Sequence, residues 1–382
     1  MRGNCLIRTG ALLVALSVVP ATFAATSARK LQVHLSYVQD GLYVVHGGHQ
    51  RGIGSPGLLH LDFDAPATAW GGSPHGRLHV DLMATTGSSI SRRAGDLQGL
   101  DNAEARNTVR LFEAWYQRDM PAADLQLRLG LQDYNALFNS LDAAGVFLNS
   151  SFGIEPTISQ SNVSIFPVTA LGAALRWQDQ AGAYLIGGVY DGTPGLPGHP
   201  DGTHIHLRRG DGLFSGLEGG IEREGARPWK LALGAWGQTS AYTDPTGRVR
   251  RQDVGLYLIG QMRLLASGPG QPPVDAFVQL GSAAPHNLFR RYFGAGVRAT
   301  GVFLPGRGDV LGLAVARAYT STTFRSSSPG SKRAETVFEL TWSVPLNHVL
   351  TLQPDMQYII DPGAIRRQSN ALVAGLRMRL QL

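Results

Sequence analysis

The sequence predicts an all-β fold: a transmembrane, antiparallel, up-and-down β-barrel of about 16 strands. Three observations predict it. The last stretch of the chain alternates polar and apolar side chains almost without a break. Glu335, Val337, Glu339, Thr341 and Ser343 share one parity, and Phe338, Leu340, Trp342 and Val344 share the other. Charged residues fall in the middle of these segments, where a dry sandwich core would reject them and a water-filled lumen accepts them. No segment after the first 24 residues approaches the ~18 consecutive apolar residues of a helical span.

Residues 1–24 read as a secretory signal. Arg2 and Arg8 precede the short apolar run Ala11 to Val19, and Thr22-Phe23-Ala24 ends in small residues. Its removal would take Cys5, the only cysteine, and with it any disulfide or thiol chemistry. Net charge would fall from +6 to about +4, because only Arg2 and Arg8 leave. The basic residues that stay are scattered, which argues against a nucleic-acid partner. Residues 25–382 show no linker, so they read as one barrel domain whose size is set by strand number. Glycine is abundant, 48 residues in all, and lies inside candidate strands at Gly172, Gly187, Gly234, Gly294 and Gly312. There it would ease the bending that closure needs.

The strands fall at 31–38, 57–63, 77–86, 108–118, 124–133, 165–178, 183–191, 212–223, 228–237, 252–265, 274–283, 291–302, 309–318, 333–344, 348–359 and 370–382. Leu42 to His46 would extend the first past Asp40-Gly41. Short links (119–123, 179–182, 224–227, 303–308, 345–347) alternate with longer ones (87–107, 134–164, 192–211, 238–251, 319–332). With both ends in the periplasm, the short links are periplasmic turns and the long ones extracellular loops. The link 134–164 is too long for a turn and is expected to form a short helix or fold inward as a constriction.

Charge sets the faces. Gln126 and Arg128 face inward against Leu125, Leu127, Leu129 and Leu131. Tyr257, Gln261 and Arg263 face inward against Val254, Leu256, Leu258 and Leu264. Arg176, Glu218, Lys230 and Arg298 follow the same rule. In 108–118, Glu113, Trp115 and Gln117 share a parity that Arg110 breaks, so a bulge or a rim position is required there. Trp177, Trp229, Trp342, Tyr292 and Tyr358 lie near strand ends and read as an interfacial aromatic belt.

Several segments together resemble the carbohydrate-selective porin (OprB) family. They are Ala94-Gly95-Asp96-Leu97-Gln98 with Asn102-Ala103-Glu104-Ala105, Val109 to Gln117, and Leu127-Arg128-Leu129-Gly130. Phe138-Asn139-Ser140, Phe147 to Gly153, Phe166 to Gly172, Gly188 to Gly192 and Leu352 to Ile359 continue the series. The resemblance runs from about residue 31 to the end. It implies a 16-stranded porin of the bacterial outer membrane that passes small, glucose-like sugars through a narrow channel lined by arginines, carboxylates and aromatics. No cofactor is implied. The implied partners are small sugars, outer-membrane lipid and lipopolysaccharide, and the barrel assembly machinery, with the barrel a monomer or a homotrimer. One departure is visible: the chain ends in Leu382, where such barrels usually carry an aromatic residue.

Glu113, Trp115, Gln117 and Arg128 stand inside the matched segments and are carried over as substrate-binding candidates. Glu335, Glu339, Asp355, Arg377 and Arg379 join them as lumen charges. Rigid, always-charged forks and carboxylates can replace the water around sugar hydroxyls. The alternative role for each is a wall ladder that touches no solute. His199, His204 and His206 lie near Asp201; His204 and His206 could share a strand face and bind a divalent metal, but two imidazoles without a third clear ligand read as a solvated loop. A general diffusion pore without sugar preference fits the same residue types. A barrel hydrolase would need a triad, and neither His286 nor His348 has a spacing that gathers one. A surface adhesin or assembly factor would carry a soluble domain.

Overall fold

The computed structural model describes residues 31–268, 271–304 and 306–382. The proposed signal segment lies outside them. Sixteen strands run in chain order: β1 (Gln32–His46), β2 (Gly52–Pro66), β3 (Gly76–Ser88), β4 (Thr108–Met120), β5 (Leu125–Gln132), β6 (Ala170–Gln178), β7 (Ala183–Asp191) and β8 (Leu213–Arg223). Then come β9 (Trp229–Thr243), β10 (Val249–Leu265), β11 (Val274–Ala283), β12 (Phe289–Thr300), β13 (Val310–Thr320), β14 (Ala334–Pro345), β15 (Leu350–Ile360) and β16 (Ala371–Gln381). Each pairs antiparallel with its sequence neighbours, and β1 closes on β16 with Asp40 opposite Arg377. Closure removes every sheet edge, the condition for strands in lipid.

The outward parity carries the apolar residues expected of it, among them Leu217, Leu231, Leu256, Leu340 and Leu376. Trp177, Trp229 and Trp342 point outward near the end that bears the chain termini, and Tyr358 near the other. Tyr292 departs from the belt reading. Its parity is inward, it is buried, and its hydroxyl donates to Ser151 O at 2.9 Å. Proximity to a strand end does not decide a face; parity does.

Other boundaries shift for identifiable reasons. β2 starts at Gly52, through Gly54, Pro56 and Gly57, which read as turn residues. β6 starts at Ala170 rather than 165, because residues 133–169 form one loop. The supposed long link 238–251 is a hairpin over Asp244-Pro245-Thr246-Gly247, with Asp244 Oδ1 accepting from Thr246 N. β4 contains the bulge that Arg110 required. Asp81 pairs with Glu113 and Leu82 with Leu111, so Phe112 is the extra residue and Arg110, Glu113, Trp115 and Gln117 all face inward.

Two loops enter the barrel from the end opposite the termini. The β5–β6 loop (133–169) crosses the inside of β8–β15. Glu218 on β8 accepts from Asn139 N at 2.8 Å, Lys230 on β9 donates to Ser140 O, and Gln261 on β10 accepts from Ala143 N. Further round, Glu339 on β14 accepts from Leu148 N and Asn149 N, and Gln279 on β11 donates to Phe152 O. Phe138, Phe147, Phe152 and Ile158 make a buried apolar layer between loop and wall. The β3–β4 loop (89–107) lies beside it, against β14–β16 and β1.

The inner-wall glycines make room for these groups rather than simply bending the sheet. A Cβ on Gly312 would meet Phe147 at 2.9 Å, one on Gly281 would overlap the Glu155 carboxyl, and one on Gly234 would overlap the Tyr257 ring. All three have ordinary backbone angles, so space is the reason for glycine there.

Candidate functional site

With β8–β15 covered by the first loop and β14–β16 by the second, the inward charges split into two populations. Glu335, Glu339, Asp355 and Arg377 belong to the covered one. Glu335 is fully buried and accepts from Leu97 N, Gln98 Nε2 and Gly363 N. Glu339 holds the tip of the β5–β6 loop, as above. Asp355 accepts from Gln357 Nε2 at 3.1 Å, and Gln357 in turn donates to Leu100 O. Arg377 is 3% exposed; it grips Asp40 on β1 through Nε and Nη2 and reaches Asp101 of the β3–β4 loop at 2.9 Å. Each of these side chains has a protein partner, although Asp355 Oδ2 is buried without one of its own among the described residues. Arg379, two residues nearer the terminus-bearing end, is half-buried on the inward parity and makes no side-chain hydrogen bond among the described residues.

The second population sits on β2–β5, where loops reach the upper end of β4: Glu113 accepts from Asp133 N at 2.7 Å, and Arg110 donates to Pro200 O at 3.0 Å. Cross-strand register builds it. Asp64 opposes His79, Asp62 opposes Asp81, His79 opposes Trp115, and Gln117 opposes Arg128. The His79 ring stacks on Trp115 at 4.7 Å with 20° between planes. The Arg128 guanidinium lies 4.1 Å from the Trp115 ring centroid and that of Arg77 at 5.1 Å. Arg128 is oriented by two bonds to Gln117 Oε1 at 3.3 and 3.1 Å, and Gln117 is fixed by Asp119. His79 Nδ1 lies 3.2 Å from Asp64, while Nε2 lies 3.9 Å from Asp62 and 3.8 Å from Glu113. His60 Nδ1 meets Asp81 at 2.7 Å.

Local backbone makes this possible. Gly130, opposite Trp115, has φ +136° and any Cβ there would strike Ala114 O and the Trp115 backbone. The bulge at Phe112 then brings Arg110 onto the face that Glu113, Trp115 and Gln117 share. Trp115 is 6% exposed, so its faces are taken by His79 and the arginines and it serves as the pad on which the charges are arranged. The side chains open to the lumen are Arg77 (49%), Asp62 (26%) and Asp64 (22%).

Four of the nine sequence candidates, Glu113, Trp115, Gln117 and Arg128, therefore meet in one place, and five do not. His60, Asp62, Asp64, Arg77, His79 and Asp81 were missed. The signal was present as His60-x-Asp62-x-Asp64 and Arg77-x-His79-x-Asp81, two runs of charge at period two. In the β7–β8 loop, His206 pairs with Asp211 at 3.0 Å and shares with Asp191, at the end of β7, a cluster of metal-ligand type, whereas His204 lies beside His199 with its Nε2 2.9 Å from Asp201 O.

Residues 57–382 match the sequence family described as carbohydrate-selective porin, OprB family. The chain belongs to that family. The porin's fold is similar to that of Pseudomonas putida OprB at high pH, with TM-score 0.81 and 18% identity over 93% of this chain and 94% of that one. The low-pH structure of the same protein gives TM-score 0.60 and 14% identity over 93% of each chain. Salmonella typhi OmpF in complex with daunomycin gives 0.59 and 9% identity over 93% of this chain and 98% of that one. No curated protein sequence matches. Family and fold place this porin in the bacterial outer membrane, among channels rather than enzymes.

Proposed function

We propose that the porin admits small uncharged sugars, glucose-like monosaccharides above all, to the periplasm by facilitated diffusion, with selection at the β2–β5 wall. The observation that carries the reading is the division of inward charge. Most charged groups on β14–β16 are occupied by loops, while Asp62, Asp64 and Arg77 stand open together on β2 and β3, with Arg128 behind them on the Trp115 ring. Adjacent carboxylates accept from vicinal hydroxyls, and arginine forks donate to them, so a hydroxyl-rich ring exchanges its water for fixed partners. Acids and bases lie within a few ångströms of each other, so the field favours a polar neutral solute. Such contacts are weak and multiple, which lets solute leave as well as enter.

For Glu335, Glu339, Asp355 and Arg377 we propose loop anchorage instead of sugar contact, and for Arg379 a place on the exit path. Both termini lie in the periplasm in this reading, and the end with the large loops faces outward.

Single-channel conductance of the refolded porin with graded glucose, and succinate as control, tests it. Millimolar glucose lowers the conductance, succinate does not, and Asp62→Asn with Asp64→Asn weakens glucose block about tenfold, the equivalent of removing one hydrogen bond. Conductance indifferent to glucose at every concentration would overturn the proposal in favour of a general pore.

A further inference from the structure

The outer surface carries a charge pattern that solute passage does not use. Among the described strand residues, every charged side chain on the outward parity that is open to the exterior is an arginine. Arg118 and Arg223 lie toward the terminus-bearing end, and Arg251, Arg291 and Arg317 toward the loop-bearing end. A cation facing hydrocarbon at mid-membrane costs about 2–4 kcal/mol, falling to about 0–1 near the interfaces. Arginines with no acidic neighbour are therefore placed where lipid headgroups begin, and where an anion can neutralise them.

Arg291 and Arg317 form the tightest arrangement. On β12 and β13, Arg291 opposes Tyr319 and Phe293 opposes Arg317. The four make a checkerboard with the arginines on one diagonal and the aromatics on the other, so the two Cβ atoms are about 7–8 Å apart. The Arg317 guanidinium sits 5.1 Å from the Tyr319 ring centroid and donates to Thr336 Oγ1 at 3.2 Å, which fixes its direction. Neither arginine is in an ion pair among the described residues. The nearest carboxylate along these strands, Glu335, points into the lumen and is fully buried. Phe293, Tyr319, Phe338 and Tyr358 surround the pair on the outward face, the residue types that mark headgroup depth. Arg325 and Arg333 lie just above, beside Thr320.

We infer that Arg291 and Arg317 form a binding site for a phosphate of the glycolipid that faces this end of the barrel. Two guanidinium forks on a fixed diagonal can share one phosphate, each with paired N–H donors. Acyl chains then lie over the apolar strands below, and the aromatic rings meet the sugar headgroup. The choice of a glycolipid over a phospholipid rests on the orientation given above, in which this end lies in the outer leaflet. The site itself requires only the two strands.

The test is lipid binding by the folded barrel in detergent, read by native mass spectrometry, which depends neither on orientation nor on transport. The probes are diphosphorylated lipid A, the same lipid with its phosphates removed, and phosphatidylglycerol. The wild-type porin should retain diphosphorylated lipid A, lose it as salt rises, and bind the dephosphorylated lipid weakly. Arg291→Gln with Arg317→Gln should weaken retention about 100-fold, roughly tenfold for each guanidinium that the substitutions remove. Arg118→Gln, at the opposite end, should leave it unchanged. Equal retention by the double variant, salt-independent binding, or equal retention of the dephosphorylated lipid would overturn the site. Phosphatidylglycerol retained as well as lipid A would overturn the glycolipid as its occupant. Folding is checked by heat-modifiable mobility, and should the double variant not fold, Arg291→Gln alone and the salt titration of the wild type decide the matter.

Discussion

Replacing Glu339 with alanine separates anchorage from sugar contact. In the native porin the Glu339 carboxylate receives the amides of Leu148 and Asn149, both buried, at the tip of the β5–β6 loop. Hydrogen bonds to a charged group contribute about 1.5–3 kcal/mol each, and their removal here strands two buried N–H groups. The tip is thus weakened by about 3–6 kcal/mol, which raises its open population by about 10²- to 10⁴-fold. Gln353, donating to Val146 O, and Gln357, accepting from Asn149 Nδ2, remain, so the rest of the loop stays docked. Residues 133–169 contain no lysine or arginine, so trypsin cannot report on them, whereas Phe147, Leu148 and Phe152 are chymotrypsin sites. Cleavage there should accelerate in proportion to the open population, and single-channel current should become larger and noisier. Cleavage within about twofold of the wild type, together with unchanged conductance, would refute the anchoring argument, since mutational effects of a few tenths of a kcal/mol need no anchor.

Two further outcomes follow from the same geometry. Glu155, in the β5–β6 loop, is buried against Gly281 and hydrogen-bonded to Thr157, and burial holds its carboxyl up at about 8. The docked loop therefore holds this proton more tightly than the released loop. Docking is at full strength below the usual carboxylate range and weakens as pH rises through about 8. Current noise should increase between about pH 5 and 8 in the wild type, level off above that, and stay flat in Glu155→Gln; the same rise in both would exclude Glu155. Separately, Arg377→Met leaves Asp40 and Asp101 buried without their cation, a destabilisation of about 3–5 kcal/mol at the β1–β16 seam. The temperature at which the barrel loses its heat-modifiable mobility should fall, and Asp40→Asn with Asp101→Asn in the same chain should restore most of it.

The barrel was legible because parity is a local property. Glu335, Val337, Glu339 and Thr341 declare an inward face whatever lies beyond it, and Arg110 against Glu113 declares the bulge before any partner strand is known. What covers that face is not local. Nothing near Glu339 indicates that residues 148 and 149 will rest on it, so anchors and free lumen charges look alike in sequence. The β2–β3 half of the site was obscured differently. Gly52, Gly54, Pro56 and Gly57 interrupt β2 with residues that normally end strands, so the alternation that carries Asp62 and Asp64 looks like a short, weak strand rather than the second half of a long one.

The distance along the chain between the constricting loop and its anchors sets an order of events. Asn139 waits for Glu218, 79 residues later, and Leu148 for Glu339, 191 residues later. Contacts of such separation form late, after the loops between them have closed at an entropic cost. Until Glu339 and the other anchors are in place, nothing holds the loop tip and the lumen stays wide. Narrowness, and with it discrimination between solutes, is the last property the chain acquires, and an arrested barrel would leak before it could choose.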